Sequence, residues 1–216
     1  MTEHTPGAVP DRLDDQTFER LREAVLANPD NPNAHYNLGL GLAYRGRWEE
    51  SLAEFRAALK LRPGLLEARI NLSGVLLQIG NYDAAIEESL KALQYQPDLI
   101  QGCINIGIAY LHKGMIEPAI DSFQKALRID ENSLMAHVNL GNVFLSTGDV
   151  AKCIAHNSKA VEIDPQFAMA HNNLAVAYFQ NQDQTKAREH ARQALTLGYP
   201  VNPEFITQLG LDAAPK

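Results

Sequence analysis

The sequence predicts an all-α fold: an array of five helical hairpins with an extra capping helix at each end. Three observations predict it. A five-residue string centred on asparagine returns every 34 residues, as HYNLG (35–39), RINLS (69–73), CINIG (103–107), HVNLG (137–141) and HNNLA (171–175). Each unit holds two apolar stripes at helical spacing, split by a turn that usually carries glycine and closed in most copies by proline. Small residues recur where two helices must approach: Gly39, Gly107, Gly141 and Ala175 in first helices, and Ala58, Ala92, Ala126, Ala160 and Ala194 in second ones.

The elements follow in order. FERLREAVLANPD (18–30) fits the second half of a unit whose first half is absent. Residues 14–31 therefore read as an N-terminal capping helix, behind a disordered tail at 1–13. Five units follow at 32–65, 66–99, 100–133, 134–167 and 168–201. In 66–99, Ala68, Leu72, Val75 and Leu76 form the first stripe and Tyr82, Ala85, Ile86, Leu90 and Leu93 the second. Gly80 ends the first helix and Pro97 marks the end of the second. A single hairpin cannot bury its own faces, whereas stacked hairpins share a continuous core. Some copies depart from the pattern: Glu131 replaces the closing proline, Ser89 and Asn157 replace a large second-helix residue, and Gln182 replaces the turn glycine. Pro118 falls in a first turn, where a missing N–H costs little. Asn202-Pro203 then opens a C-terminal capping helix at 202–211, with Phe205, Ile206 and Leu209 to cover the last hairpin and a tail at 212–216.

The chain is 45% hydrophobic and 21% charged, with a net charge of -7, a foldable and soluble composition. Phosphate binding needs a basic stripe and none is present, so no nucleic-acid partner is expected. No secretory h-region opens the sequence, and no apolar run approaches the roughly 20 residues that span a bilayer. Two cysteines make no disulfide framework. The cytoplasm is the expected location, with no membrane insertion.

Numbering each unit 1–34 from Pro32, Leu66, Ile100, Leu134 and Ala168 separates two faces of the first helix. Positions 3, 4, 7, 8 and 11 form the packed arc. Position 6, the asparagine, points the other way with positions 2, 9 and 13. The second arc is amide and apolar, with almost no charge.

The 34-residue period, the Leu38-Gly39 and Leu140-Gly141 pairs, and second helices such as ESLAEFRAALKLRP (50–63) and KCIAHNSKAVEIDP (152–165) together resemble the tetratricopeptide repeat family across 32–201. That resemblance implies a right-handed α-α superhelix, open and curved at five repeats, whose first helices line a concave groove. It implies a peptide-binding surface built from Asn37, Asn71, Asn105, Asn139 and Asn173, with Leu40, Tyr44, Ile108, His112, Met135, Asn142 and Met169 beside them, and position 5 (Ile104, Val138) flanking. An asparagine amide offers both donors and an acceptor, complementary to a peptide backbone. The series resembles the asparagine ladder in the repeat domain of O-linked N-acetylglucosamine transferases. Nothing here matches their catalytic domain, so no activity is implied. The alternative is that these amides bond within or between hairpins. The family's two-carboxylate clamp for chaperone tails needs cations where this chain has Tyr36, Gln101 and Asn105, then Ile70, Met135 and Asn139, so its donors are absent.

No catalysis is expected. His35, His137 and His171 share position 4, at least one hairpin apart and so about 10 Å or more, too far to share a zinc ion. His156 and His190 share position 23 and are separated likewise. Cys103 and Cys153 read as buried small hydrophobes. There is no Ser/His/Asp grouping, phosphate loop or carboxylate pair, so neither metal nor cofactor is predicted. The expected function is a non-enzymatic interaction module holding an extended peptide or partner segment. The alternative is an assembly scaffold that self-associates, or joins a larger complex, through its end helices or convex face.

Overall fold

A computed structural model describes residues 14–211; the two expected tails lie outside them. The described residues are helical, with no strand, and cluster into two compact units, Met1–Pro97 and Asp98–Lys216. Unit 1 holds α1 (Asp15–Ala27), then the hairpins α2 (Pro32–Tyr44) with α3 (Trp48–Leu61) and α4 (Leu66–Gln78) with α5 (Tyr82–Tyr95). Unit 2 holds α6 (Ile100–His112) with α7 (Ile116–Ile129), α8 (Leu134–Thr147) with α9 (Val150–Ile163), α10 (Ala168–Gln180) with α11 (Gln184–Thr196), and α12 (Pro203–Gln208). No described helix is long and apolar enough to cross a membrane.

The ends of these helices follow from their sequence. Asp14, Asn31, Asn81, Asp149, Asp183 and Asn202 cap N-termini by accepting from backbone N–H groups two or three residues on. Each first helix stops in a left-handed residue that lets the next N–H turn back, as when Asn81 N–H reaches the Leu76 carbonyl at 2.9 Å. Gly46, Gly80, Gly114 and Gly148 fill that position with φ between 69° and 79°. In the fifth hairpin the same turn forces Gln182 to φ 63°, where its Cβ crowds the following carbonyl.

Within each hairpin the two helices touch at position 8 against position 24. An ideal Cβ on Gly39 would lie 2.8 Å from the Phe55 ring, and one on Gly107 would lie 2.5 Å from Phe123. Where serine or alanine replaces the large residue its partner changes too: Ser73 and Ser89 bond to each other at 2.7 Å, and Ala175 and Ala191 sit in one buried cluster, whereas Asn157 keeps glycine, Gly141, opposite it. The glutamine, serine and asparagine departures thus have different consequences, strain in the first case and compensated packing in the others. In unit 1, Phe18 of α1 closes on Leu38 and Leu42. In unit 2, Leu209 and Ile206 are buried on the α10–α11 hairpin beside Ala175, Ala187, Ala191 and Ala194.

In four of the five hairpins a second bond ties the helices together, position 4 to position 23, nineteen residues on; in α6–α7 Cys103 and Ser122 stand there, and Ser122 donates to the Pro118 carbonyl of its own helix. Arg69 pairs with Glu88 at 2.6 Å and His35 Nδ1 with Glu54 at 2.6 Å. In unit 2 the same clip is a pair of imidazoles: His137 with His156 and His171 with His190, each Nδ1 to Nδ1 at 3.0 Å. The outer nitrogen of each position-4 histidine faces a loop carbonyl, Pro29, Glu131 or Pro165. A carbonyl only accepts, so His137 and His171 carry their proton on Nε2 and accept at Nδ1 from His156 and His190. Each of these pairs joins unequal positions across one hairpin, so no bond runs between the repeat-equivalent histidines. Among the described residues no three His, Cys, Asp or Glu side chains form a metal-binding group.

Burial, then the neighbouring imidazole, then Lys152 hold His156 below the usual histidine range; burial and His171 do the same to His190, with Glu189 opposing and Lys186 reinforcing. The unfolded chain therefore binds these protons first, so the two clips give full stability above about pH 6.5 and lose it as pH falls. His35 goes the other way. Burial resists its cation, but Glu54 and the Pro29 carbonyl outweigh burial and raise its pKa, so that clip is strongest below about pH 6.5 and fades as pH rises through the raised value.

Three outcomes follow from this packing. Gln182→Gly should stabilise the chain by about 1 kcal/mol, read as a rise in melting temperature of a few degrees. Gly107→Ala should cost about 1–3 kcal/mol by overpacking against Phe123, read in urea titrations. Acidifying from pH 7.5 to 5.5 should lower the amide protection factors of α9 and α11, each rate being divided by the intrinsic exchange rate at its own pH. H156E/H190E, which copies the His35–Glu54 pairing, should remove or reverse that effect.

Candidate functional site

The face opposite the packed arc is built separately in each unit. In unit 1 it comes from α2 and α4. The Asn37 side chain is exposed and hydrogen-bonds to no described residue, with Leu40 and Tyr44 exposed beside it. Asn71 is half-buried and donates to its own helix at the Glu67 carbonyl, 2.8 Å, and more weakly to the Tyr36 hydroxyl at 3.4 Å. Burial, with Glu67 adding to it, pushes the Tyr36 phenol up, so it stays protonated at neutral pH.

In unit 2 the face comes from α6, α8 and α10. Met135 and Met169 are 43% and 37% exposed, large for thioethers, and are the apolar residues this surface offers solvent. Ile108 is half-buried and His112 exposed. Asn139 is half-buried and donates to the Met135 carbonyl at 2.7 Å, four residues back on its own helix. Two asparagines differ from the expected open ladder. Asn105 is 3% exposed and accepts from Gln101 at 2.9 Å; Asn173 is 4% exposed and is fully committed as a donor. Ile104 and Val138, expected to flank the groove, are buried; Val138 packs against Ala160 and Ala170. At about 100° per residue, position 5 turns far enough toward the neighbouring hairpin to join the core.

One connection in unit 2 was not legible from spacing. Asn157 is completely buried on α9, at the position that Phe55 and Phe123 fill elsewhere. It fits because Gly141 has no side chain; a Cβ there would stand 2.1 Å from Asn157 Nδ2. Its Nδ2 donates to the Cys153 carbonyl at 3.0 Å. Asn173 Nδ2 donates to Asn157 Oδ1 at 3.1 Å and to Asn142 Oδ1 at 2.6 Å. Asn142, half-buried, is left with Nδ2 pointing at the Met169 sulfur, 3.8 Å away and a weak acceptor. The signal for this network lies in the sequence as the coincidence of asparagine at 142 and 157.

The arrangement presents amide donors, amide acceptors and thioethers, which suit contact with a neutral, extended chain. Burial pushes the Cys153 thiol up to about 11, Asn157 opposing slightly, and raises Cys103 as well, so neither is a thiolate at neutral pH.

Comparison with known proteins agrees with the hairpin geometry. Residues 19–65 and 36–98 match one tetratricopeptide repeat profile, 100–133 a second and 168–198 a third, while 141–182 match a profile described as TPR repeat. No curated protein matches in sequence. Among solved structures, YrrB, described as a TPR protein with an unusual peptide-binding site, is 21% identical with a TM-score of 0.61, the match covering 90% of this chain and 100% of that one. TTC0263, a thermophilic TPR protein in Thermus thermophilus, is 22% identical with a TM-score of 0.68 over 83% of this chain and 97% of its own. MamA 41-end from Desulfovibrio magneticus RS-1 is 25% identical with a TM-score of 0.62 over 71% and 86%. With repeat profiles along most of its length and an all-α hairpin fold shared with these structures, the chain belongs to the tetratricopeptide repeat family.

Proposed function

We propose that this chain is a non-catalytic interaction module that binds an extended peptide or partner segment on its first-helix faces. Five repeats, with α1 and α12 as end caps, form the scaffold in this reading. The observation that carries it is the unit 2 face: Met135 and Met169 stand exposed beside Asn139 and Asn142, with no charge among the four. Apolar side chains of a bound segment would cover the thioethers, and its backbone would meet the amides. The peptide-binding site named for YrrB lends the reading support from the same fold. An acidic chain of net charge -7 suits a protein partner better than nucleic acid.

A second reading, assembly through the ends, draws on Leu26 of α1, which is 81% exposed. The C-terminal end offers less to it, since Ile206 and Leu209 face inward.

A partner recovered by affinity capture should bind M135A/M169A at least tenfold more weakly by calorimetry, with an unchanged circular-dichroism melt. Asn139→Ala should weaken it by a further few-fold, the worth of one neutral hydrogen bond. Unchanged affinity in both variants would remove the peptide-face reading. A dimer lost in Leu26→Glu would support assembly instead.

A further inference from the structure

We propose that Asn157, a core residue, is a positioning residue for the unit 2 face: through Asn173 it fixes Asn142 with its NH2 outward, as a donor for a backbone carbonyl of an extended peptide. This rests on the peptide-face reading above.

The molecule contains its own controls. In the hairpins after Phe55 and Phe123, the position-6 asparagines, Asn71 and Asn139, donate back to their own helices at the Glu67 and Met135 carbonyls. In the hairpin after Asn157, Asn173 does not. Its two N–H groups go to Asn157 and Asn142 instead. The direction of every bond is fixed from the buried end. Asn157 must donate to the Cys153 carbonyl, which leaves its Oδ1 as an acceptor. Asn173 must then present Nδ2 to it, and the second hydrogen of that group holds the Asn142 oxygen at 2.6 Å. Asn142 is left with a donor whose partner among the described residues is a thioether at 3.8 Å. An amide free to rotate would show a ligand either donor or acceptor. This one shows a donor, flanked by Met169, so a peptide carbonyl with an apolar neighbour is its complement.

Asn157→Phe tests the relay without emptying the core, because Gly141 opposite it would recreate the Gly39–Phe55 and Gly107–Phe123 contacts. The probe is an uncharged twelve-residue peptide selected on the wild-type chain from a displayed random library. N157F should melt no lower than wild type yet bind that peptide about tenfold more weakly. N142A should lose the same factor, and N157F/N142A no more than either alone, since both remove one donor. Equal binding by N157F and wild type, or additive losses in the double variant, would overturn the relay. The side-chain amide protons of Asn173, followed by nuclear magnetic resonance in the free chain, should exchange with water faster in N157F; an identical rate overturns it independently of any peptide. If the library yields no binder while that exchange rate rises, the relay stands and the peptide-face reading falls.

Discussion

The approach of two helices at position 8 against position 24 is the contact on which each hairpin depends. A glycine at position 8 lets the phenylalanine ring of the second helix lie against bare backbone, 2.5–2.8 Å from where a Cβ would be. That fixes how far apart the helix axes stand, and so where every other side chain of the hairpin lands. The constraint is on the sum of the two residues, not on either one. Glycine faces phenylalanine twice, serine faces serine, alanine faces alanine, and glycine faces asparagine. Volume lost on one helix is thus regained on the other or replaced by a hydrogen bond, and the 34-residue period survives its own departures.

The clip between positions 4 and 23 sets the remaining freedom, the sliding of one helix along the other. Its outer bond to a loop carbonyl also pins the turn before the hairpin, so one side chain secures two connections. The chemistry differs between units. Unit 1 uses Arg69–Glu88 and His35–Glu54, ion pairs whose cation is welcome. The last two hairpins of unit 2 use imidazole pairs, in which burial and the neighbouring ring hold His156 and His190 below the usual histidine range. The clip of the first hairpin and those of the last two therefore respond to acid with opposite sign.

The repeat made the fold legible because its period, its glycine punctuation and its small residues all express the same backbone geometry. Gln182 shows how strict that legibility was: the turn keeps its left-handed residue even where the sequence offers glutamine. Pairing across a hairpin was harder to see. The repeat period sets histidines against each other at equal positions along the array, whereas the packing joins unequal positions nineteen residues apart. The site was legible only as a face. Helical spacing placed Met135, Met169 and Asn142 toward solvent, but it could not say that Asn105 and Asn173 would be covered by their neighbours, because burial depends on how adjacent hairpins close.

The asparagine at 157 joins these two levels. At a site whose role is to fill space, phenylalanine would serve and a buried amide is costly unless every bond is made. Asn157 makes its bonds, but only by drawing Asn173 away from its own helix. That shift reaches the surface at Asn142, the half-buried amide between the core and Met169. In the hairpins after Phe55 and Phe123 the phenylalanine packs, and the asparagine after it bonds to its own turn. Here one substitution inside the hairpin couples the core to the solvent-facing amides, so the orientation of a surface donor is set by a residue that no ligand could touch.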